Sequence, residues 1–293
     1  MTIIAILLAF ALCHFVRELG RIRKNQWLTG WVGFANDAFG KLPGWADILG
    51  FIVILAVPLI VLLLMNQVLH GALGVTGSFL LALGVLIYSF GPRDLDTDVA
   101  QVLEAPQGEQ RDDALAELLD GPVPAEEEAC RAAAVEAVFQ QALRRWFGVI
   151  FWFAVLGIVG ALLYRMVDWL DSEEPKVSPE QRGRFVRLQQ IMDWPAAQLM
   201  TLSLAVATDF DSVYKAWKRY HDEQGHGLFE GDNGFLLASA RSVVLTGHAA
   251  RDGYADQLHG PMLGLQQAMD LVWRMLGVWL TVLALLLLVG VLA

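Results

Sequence analysis

The sequence predicts an all-α, polytopic membrane protein whose apolar spans flank charged helical loops on the cytoplasmic side. Of its 293 residues, 56% are hydrophobic and 18% are charged, and the mean hydropathy is +0.48. A soluble domain spreads its apolar residues at core periodicity, whereas here they are collected into long uncharged runs. These observations make the bilayer the main solvent for the fold.

Apolar and charged stretches divide the chain into six segments. A spanning helix needs about 20 apolar residues to cross roughly 30 Å of hydrocarbon, and several runs approach that length. We expect an N-terminal apolar helix with a basic loop (1–47), a transmembrane hairpin (48–91), an acidic helical loop (92–145), a transmembrane or re-entrant segment (146–172), a helical cytoplasmic region (173–274) and a C-terminal transmembrane helix (275–293). No internal sequence repeat is visible.

The hairpin segment is free of charged residues. Its arms are expected at about 48–69 and 73–91, joined by a turn around His70 and Gly71. No Lys or Arg precedes the apolar N-terminus, which argues against a cleaved signal peptide.

Lys and Arg orient the chain, because they accumulate in cytoplasmic loops. The segment after the first helix is basic and the hairpin turn carries neither residue type. We therefore expect 17–47, 92–145 and most of 165–274 to share the cytoplasmic side, in a bacterial inner membrane that the chain crosses several times.

The apolar run 146–164 conflicts with a topology in which successive loops alternate between the two sides of the membrane. A single crossing at 146–164 would export a region that holds eleven Lys and Arg. Two alternatives remain open: this run is a helix that breaks near Gly157 and Gly160 and returns, or the uncharged stretch 194–208 enters the membrane as a partner. A re-entrant element would line a site, because irregular backbone at membrane depth needs protein or water around it.

Local patterns suggest further elements. Ser178 with Gln181 resembles a capping box with proline at the first helical position. Pro195 disfavours helical geometry at Trp194, so we expect a break there and a separate short helix on or in the bilayer. The glycine-rich loop 225–234 favours a plain turn over a phosphate-binding loop, since it lacks the P-loop pattern.

Acidic residues supply the candidate site. The run that begins with Asp94, Asp96 and Asp98 is interpreted as a solvated face, with metal binding as the alternative. Carboxylates at the membrane boundary are costly without partners or a wet cavity. The candidate ligand-binding residues, expected to converge on one polar cavity at the cytoplasmic boundary, are Glu136, Asp168, Asp171, Asp193 and Asn233.

Two runs carry a family resemblance: 163–172, with the sequence LYRMVDWLDS, and 189–199, with the sequence QQIMDWPAAQL. They resemble the AmpE branch of the AmpE/CobD superfamily. AmpE is an inner-membrane protein of the β-lactamase regulatory locus, and CobD members are membrane-bound cobinamide phosphate synthases. The resemblance covers most of the chain in order.

Departures from the CobD pattern favour the AmpE branch. The GDP triplet is absent, and only His14 to Arg17 remains of the histidine motif near the N-terminus. Where the CobD pattern has an acid-Asn pair and then Asp-Gly, this chain has Gln140-Gln141 and Arg144-Arg145. Because arginines stand there, we expect the site acids to be paired with arginines rather than with a metal nucleotide.

The resemblance implies a signalling modulator of β-lactamase induction linked to peptidoglycan recycling, without catalytic residues or cofactor. Its partners would be the lipid bilayer and a cell-wall metabolite or regulatory protein. The alternative is a diverged membrane-bound ligase or nucleotide-binding enzyme of the CobD type, which would use a magnesium nucleotide. A transporter ranks last, since no charge lies in the hairpin or the last span. The net charge of −10 argues against nucleic acid as a partner.

Overall fold

The computed structural model describes residues 2–15, 26–91, 94–106, 108–171, 177–224, 232–251 and 262–289. Within these ranges the chain forms helices and turns and no strand, which confirms the all-α class. The helices are α1 (Thr2–Phe15), α2 (Gln26–Phe39), α3 (Gly50–Leu73), α4 (Val75–Ser89), α5 (Leu95–Glu104), α6 (Glu109–Leu119), α7 (Glu127–Ala142), α8 (Gly148–Asp171), α9 (Pro179–Ala207), α10 (Phe210–Gln224), α11 (Gly234–Arg251) and α12 (Met262–Leu288).

The chain divides into two compact units. The first unit comprises residues 1–92, 148–192 and 290–293, and the second comprises residues 93–147 and 193–289. Short π-helical turns precede α3 and α8, at Trp45–Leu49 and Leu143–Phe147.

The length and composition of the helices agree with the membrane-protein class. Three helical segments are long and apolar enough to cross a bilayer, namely Trp45–Leu73, Glu127–Asp171 and Gly264–Leu286. Helices suit this solvent because all their backbone polar groups bond within the segment. The second of these segments is not one straight rod, since it changes direction inside α8.

Two helical hairpins in the first unit turn on the same glycine geometry. Gly74, between α3 and α4, has φ 61° and ψ −144°, and Gly157, inside α8, has φ 64° and ψ −147°. Essentially only glycine adopts this combination. The first turn therefore lies at Gly74 and not at His70 and Gly71, where it was expected. Both of those residues are still helical, and the His70 carbonyl accepts a hydrogen bond from the Gly74 amide at 2.8 Å.

A second glycine, three residues after each turn, lets the arms of the hairpin touch. A Cβ built on Gly77 would stand 2.4 Å from the carbonyl oxygen of Leu69, and one built on Gly160 would stand 2.2 Å from that of Trp152. In both hairpins the contacted carbonyl lies eight residues earlier, on the opposite arm. The fold thus repeats a G-x-x-G hairpin that sequence comparison within the chain did not reveal.

Helix α8 has the geometry expected of a re-entrant element. A Cβ built on Gly148 would stand 2.2 Å from the ring of Tyr164, so the two ends of the hairpin lie side by side. The first arm, 148–156, rises about 14 Å, which is less than half of the roughly 30 Å hydrocarbon core. The expected break near Gly157 is confirmed, and the segment turns back toward its starting end.

This geometry supports the prediction that the loops before and after α8 share the cytoplasmic side. Single cysteines placed at Arg111 and at Lys215, in a background with Cys13 and Cys130 replaced by serine, should both react with a membrane-impermeant maleimide from the cytoplasmic face only. The measurement compares intact spheroplasts with inverted vesicles. Labelling of the two positions from opposite faces would contradict the re-entrant interpretation.

The expected break at Trp194 and Pro195 is wrong, because α9 continues through both residues to Ala207. A proline removes one main-chain hydrogen bond and crowds the preceding turn. Three residues before Pro195, the Met192 carbonyl accepts a hydrogen bond from the Trp152 indole at 3.0 Å. This bond lies in the turn before the proline and ties α9 to α8 there.

The predicted capping box at the start of α9 is confirmed. The Gln181 amide donates to Ser178 Oγ at 3.2 Å, and the Ser178 amide donates to Gln181 Oε1 at 3.4 Å. Gln181 Nε2 also donates to the Trp45 carbonyl at 2.6 Å. The cap therefore fixes the start of α9 against the π-helical turn that leads into α3.

Candidate functional site

A buried carboxylate joins three elements of the second unit. Asp193, in α9, is 1% exposed. Asn233, at the start of α11, donates from Nδ2 to Asp193 Oδ2 at 3.2 Å. Arg144 Nε, in the π-helical turn after α7, lies 3.9 Å from the same oxygen. Because a buried carboxylate is costly without a cation or donors, these two neighbours help to stabilise Asp193 there.

This cluster suits an anionic ligand. The Arg144 side chain is 33% exposed, whereas that of Asp193 is 2% exposed. The fork of a guanidinium matches carboxylate or phosphate oxygens, and the partly exposed Arg144 side chain can be reached by such a group. Asp193 and Asn233 would then position the arginine without touching the ligand.

Glu136 lies in the same unit but pairs with a different arginine. Its Oε1 is 3.4 Å from Arg241 Nη1. Arg241 also borders an open cleft of about 560 Å³ between α7, α10 and α11. Small residues and charged groups of both signs line this cleft: Glu126, Glu128, Ala129, Ala132, Ala216, Arg219, Tyr220, Glu223, Ala238, Arg241, Ser242 and Leu245.

Tyr220 is a fixed hydrogen-bond donor at the edge of this cleft. Its hydroxyl donates to the Asp232 carboxylate. Burial and this carboxylate raise the pKa of the Tyr220 phenol well above its usual value, since both penalise the phenolate. The phenol therefore stays protonated at neutral pH and does not act as a base.

The sequence interpretation of Asp98 as part of a solvated acidic face is wrong. Asp98 is 5% exposed and Arg145 is 7% exposed. Arg145 Nη1 donates to Asp98 Oδ2 at 2.6 Å, and Arg145 Nε donates to Gln141 Oε1 at 3.0 Å. Helix α5 is amphipathic, with Leu95 and Val102 also buried, so Asp98 shares its buried side. That spacing was the signal that sequence reasoning missed.

The two remaining candidate residues belong to the first unit. Asp168 Oδ2 accepts a hydrogen bond from Arg165 Nη1 at 2.6 Å, and Arg165 is 5% exposed. Asp171 is the last residue of α8 and is half-buried. Asp193 and Asn233 are therefore brought together, Glu136 pairs separately, and convergence of all five on one cavity stays a prediction.

Arginine pairing follows the expected pattern, since Glu136, Asp168 and Asp193 each have an arginine within 4 Å. Within the described ranges, no three His, Cys, Asp or Glu side chains are placed to hold a metal ion. The residues there do not fit an ion held by protein ligands alone. Residues 225–231 of the glycine-rich loop, and residues 16 and 17 of the N-terminal histidine motif, lie outside the described residues.

Comparison with known proteins gives a consistent assignment. The family model described as CobD/Cbib protein matches residues 5–289. "Cobalamin biosynthesis protein CobD" of Stutzerimonas stutzeri (strain A1501) is 29% identical over 179 residues, which cover 54% of this chain and 55% of that protein. The chain therefore spans about half the length of the curated relative it matches. No solved structure matches it.

These matches contradict the expected AmpE-like role in β-lactamase signalling and peptidoglycan recycling. The departures from the CobD pattern at Gln140, Gln141, Arg144 and Arg145 do not outweigh this match. These four residues lie at the end of α7 and in the π-helical turn that follows it, whereas the family model matches residues 5–289.

Proposed function

This chain belongs to the CobD/Cbib protein family, and we propose that it is a diverged membrane-bound ligase of the cobinamide phosphate synthase type. The observation that carries the proposal is the family match along nearly the whole chain. We place the enzyme in the bacterial inner membrane, crossing it several times.

The proposed ligand site is the cluster of Arg144, Asp193 and Asn233. Arg144 binds an anionic group of the substrate, because its side chain is partly exposed and the buried Asp193 carboxylate lies 3.9 Å from its Nε. Asn233 and Asp193 are positioning residues, which act through Arg144. Arg144 therefore brings a positive charge to this site, at a position where the CobD pattern has an aspartate.

A magnesium nucleotide is part of the proposal as a co-substrate. Magnesium commonly uses one or two carboxylates together with phosphate oxygens and water. Because the described residues do not form a metal site by themselves, the nucleotide phosphates would have to bring the ion with them.

Genetic complementation tests the proposed function. Expression of the chain in a bacterium that lacks its own CobD, grown where cobalamin synthesis is required, is expected to restore growth. Asn233→Ala should weaken this rescue, because a lost hydrogen bond to a buried charge costs about 1.5 to 3 kcal/mol, or roughly 10- to 100-fold in affinity. Asp211→Asn, in an exposed ion pair with Lys215, is the matched control and should rescue fully.

Calorimetry with purified protein provides a readout independent of growth. Saturable binding of Mg-ATP that is weakened about 10-fold or more in Asp193→Asn would support the ligase, since the neutral amide no longer holds the Arg144 cation. Folded protein that neither rescues growth nor binds Mg-ATP would overturn it.

A further inference from the structure

An apolar strip lies exposed along one side of the second unit. In α9, Leu199, Leu202 and Val206 are 41%, 55% and 65% exposed. Their spacing of three and four residues places them on one helix face. Phe210 and Tyr214, in α10, are 60% and 50% exposed and stack with ring centroids 6.2 Å apart. We call these five residues the α9–α10 strip.

The other faces of α9 in this unit are well packed, so the strip is not the surface of a loose helix. Met200 and Leu204 are fully buried, as are Ala196 and Ala197. An exposed face of several large apolar side chains on a firmly held helix marks an interaction surface.

The C-terminal span provides the clue to what covers the strip. Trp279, within the candidate span Gly264–Leu286, donates from its indole to Ser203 Oγ at 2.7 Å, and both residues are buried. Ser203 lies between Leu202 and Leu204 on α9. This part of α9 is therefore held beside a segment that is apolar enough to lie in hydrocarbon.

The charge and aromatic content of the chain change along the strip as they would across a membrane boundary. No charged residue occurs from 194 to 208, whereas charge begins at Asp209 and continues with Lys215 and Lys218. Aromatic side chains stand at the transition, with Tyr214 stacked on Trp217 at 6.2 Å. Aromatic rings concentrate at the level of lipid headgroups, where one end is apolar and the other is hydrated.

We propose that the α9–α10 strip is a lipid-contacting surface, with Leu199, Leu202 and Val206 against acyl chains and with Phe210 and Tyr214 at the headgroup level. The occupant is the bilayer and not a protein partner, because the strip carries no charge that would select one and Ser203 holds α9 beside a candidate membrane span. This inference concerns a surface apart from the proposed ligand site, so it stands or fails independently of the ligase.

Spin labelling of the full chain in phosphatidylcholine vesicles tests the proposal. Cysteines are introduced singly at Leu202, Val206 and Lys218, with the native Cys13 and Cys130 replaced by serine. The nitroxide at 202 and at 206 should collide more often with oxygen, which partitions into lipid, than with a water-soluble nickel chelate. The order should reverse at 218, which is exposed one helical turn beyond Tyr214 in the charged part of α10.

Three results would overturn the lipid surface. Faster collision with the nickel chelate at 202 and 206 would place the strip in water. Dipolar broadening between labels on different molecules would identify a second copy of the chain as the occupant. Protection from both reagents without broadening would mean that protein covers the strip.

Discussion

Replacing Arg145 by methionine should destabilise the protein by about 3 to 5 kcal/mol, the typical effect of removing one partner of a buried ion pair. Arg145 and Asp98 are both more than nine-tenths buried and are joined by a 2.6 Å hydrogen bond. Without the guanidinium, the Asp98 carboxylate is left buried without its cation. The loss of stability is measured by heating the detergent-solubilised protein and monitoring the remaining folded fraction by fluorescence-detected size-exclusion chromatography.

The double variant Asp98→Leu with Arg145→Met is the decisive comparison, because it removes the stranded charge. It should recover most or all of the stability, since well-packed apolar residues can replace a buried pair at little cost. Lys215→Met disrupts the exposed pair with Asp211 and should leave the unfolding temperature nearly unchanged. Equal stability of Arg145→Met and the unmodified chain would show that the pair is not buried as described.

Replacing Gly160 by alanine should cost about 3 kcal/mol, at the upper end of the range for overpacking. The new Cβ would stand 2.2 Å from the Trp152 carbonyl oxygen and 2.7 Å from the Leu156 Cβ. Main-chain atoms on the opposite arm cannot move aside as a flexible side chain can, so the α8 hairpin must open. A lowered unfolding temperature and a smaller folded fraction after detergent extraction are the expected readouts.

Gly84→Ala is the matched control, because Gly84 also lies inside an apolar helix and a Cβ there would meet nothing within 4 Å. Alanine is favoured over glycine by about 1 kcal/mol in a helix interior, so this variant should be neutral or stabilising. If the two variants behaved alike, close approach of the arms at Gly160 would be refuted.

The family assignment illustrates how individual site residues can mislead. Arg144 and Arg145 stand where the CobD pattern has Asp-Gly, and this favoured the AmpE branch. In the structure, Arg145 is bound to Asp98 and Gln141, whereas Arg144 faces Asp193. Arg145 therefore serves local charge pairing, which a diverged member can alter without changing the helical framework, whereas Arg144 is the proposed anion-binding residue.

The sequence alone determined what depends on neighbouring residues and on composition. Long uncharged runs predicted helices suited to a bilayer, Ser178 and Gln181 predicted a cap, and the glycines of α8 predicted its interruption. These features follow from local backbone preferences and from the surrounding solvent. Both act on a single segment without a distant partner.

Tertiary structure decided everything that depends on a distant partner. Helix α9 continues through Pro195, Arg145 pairs with Asp98 in the interior, and Asn233 reaches Asp193 across forty positions of the chain. The first two outcomes reverse a local preference, for a helix break and for a solvated carboxylate. The third brings together two residues that lie far apart in the chain. A buried polar group is stable only where a partner satisfies it, and the identity of that partner is set by packing rather than by sequence spacing.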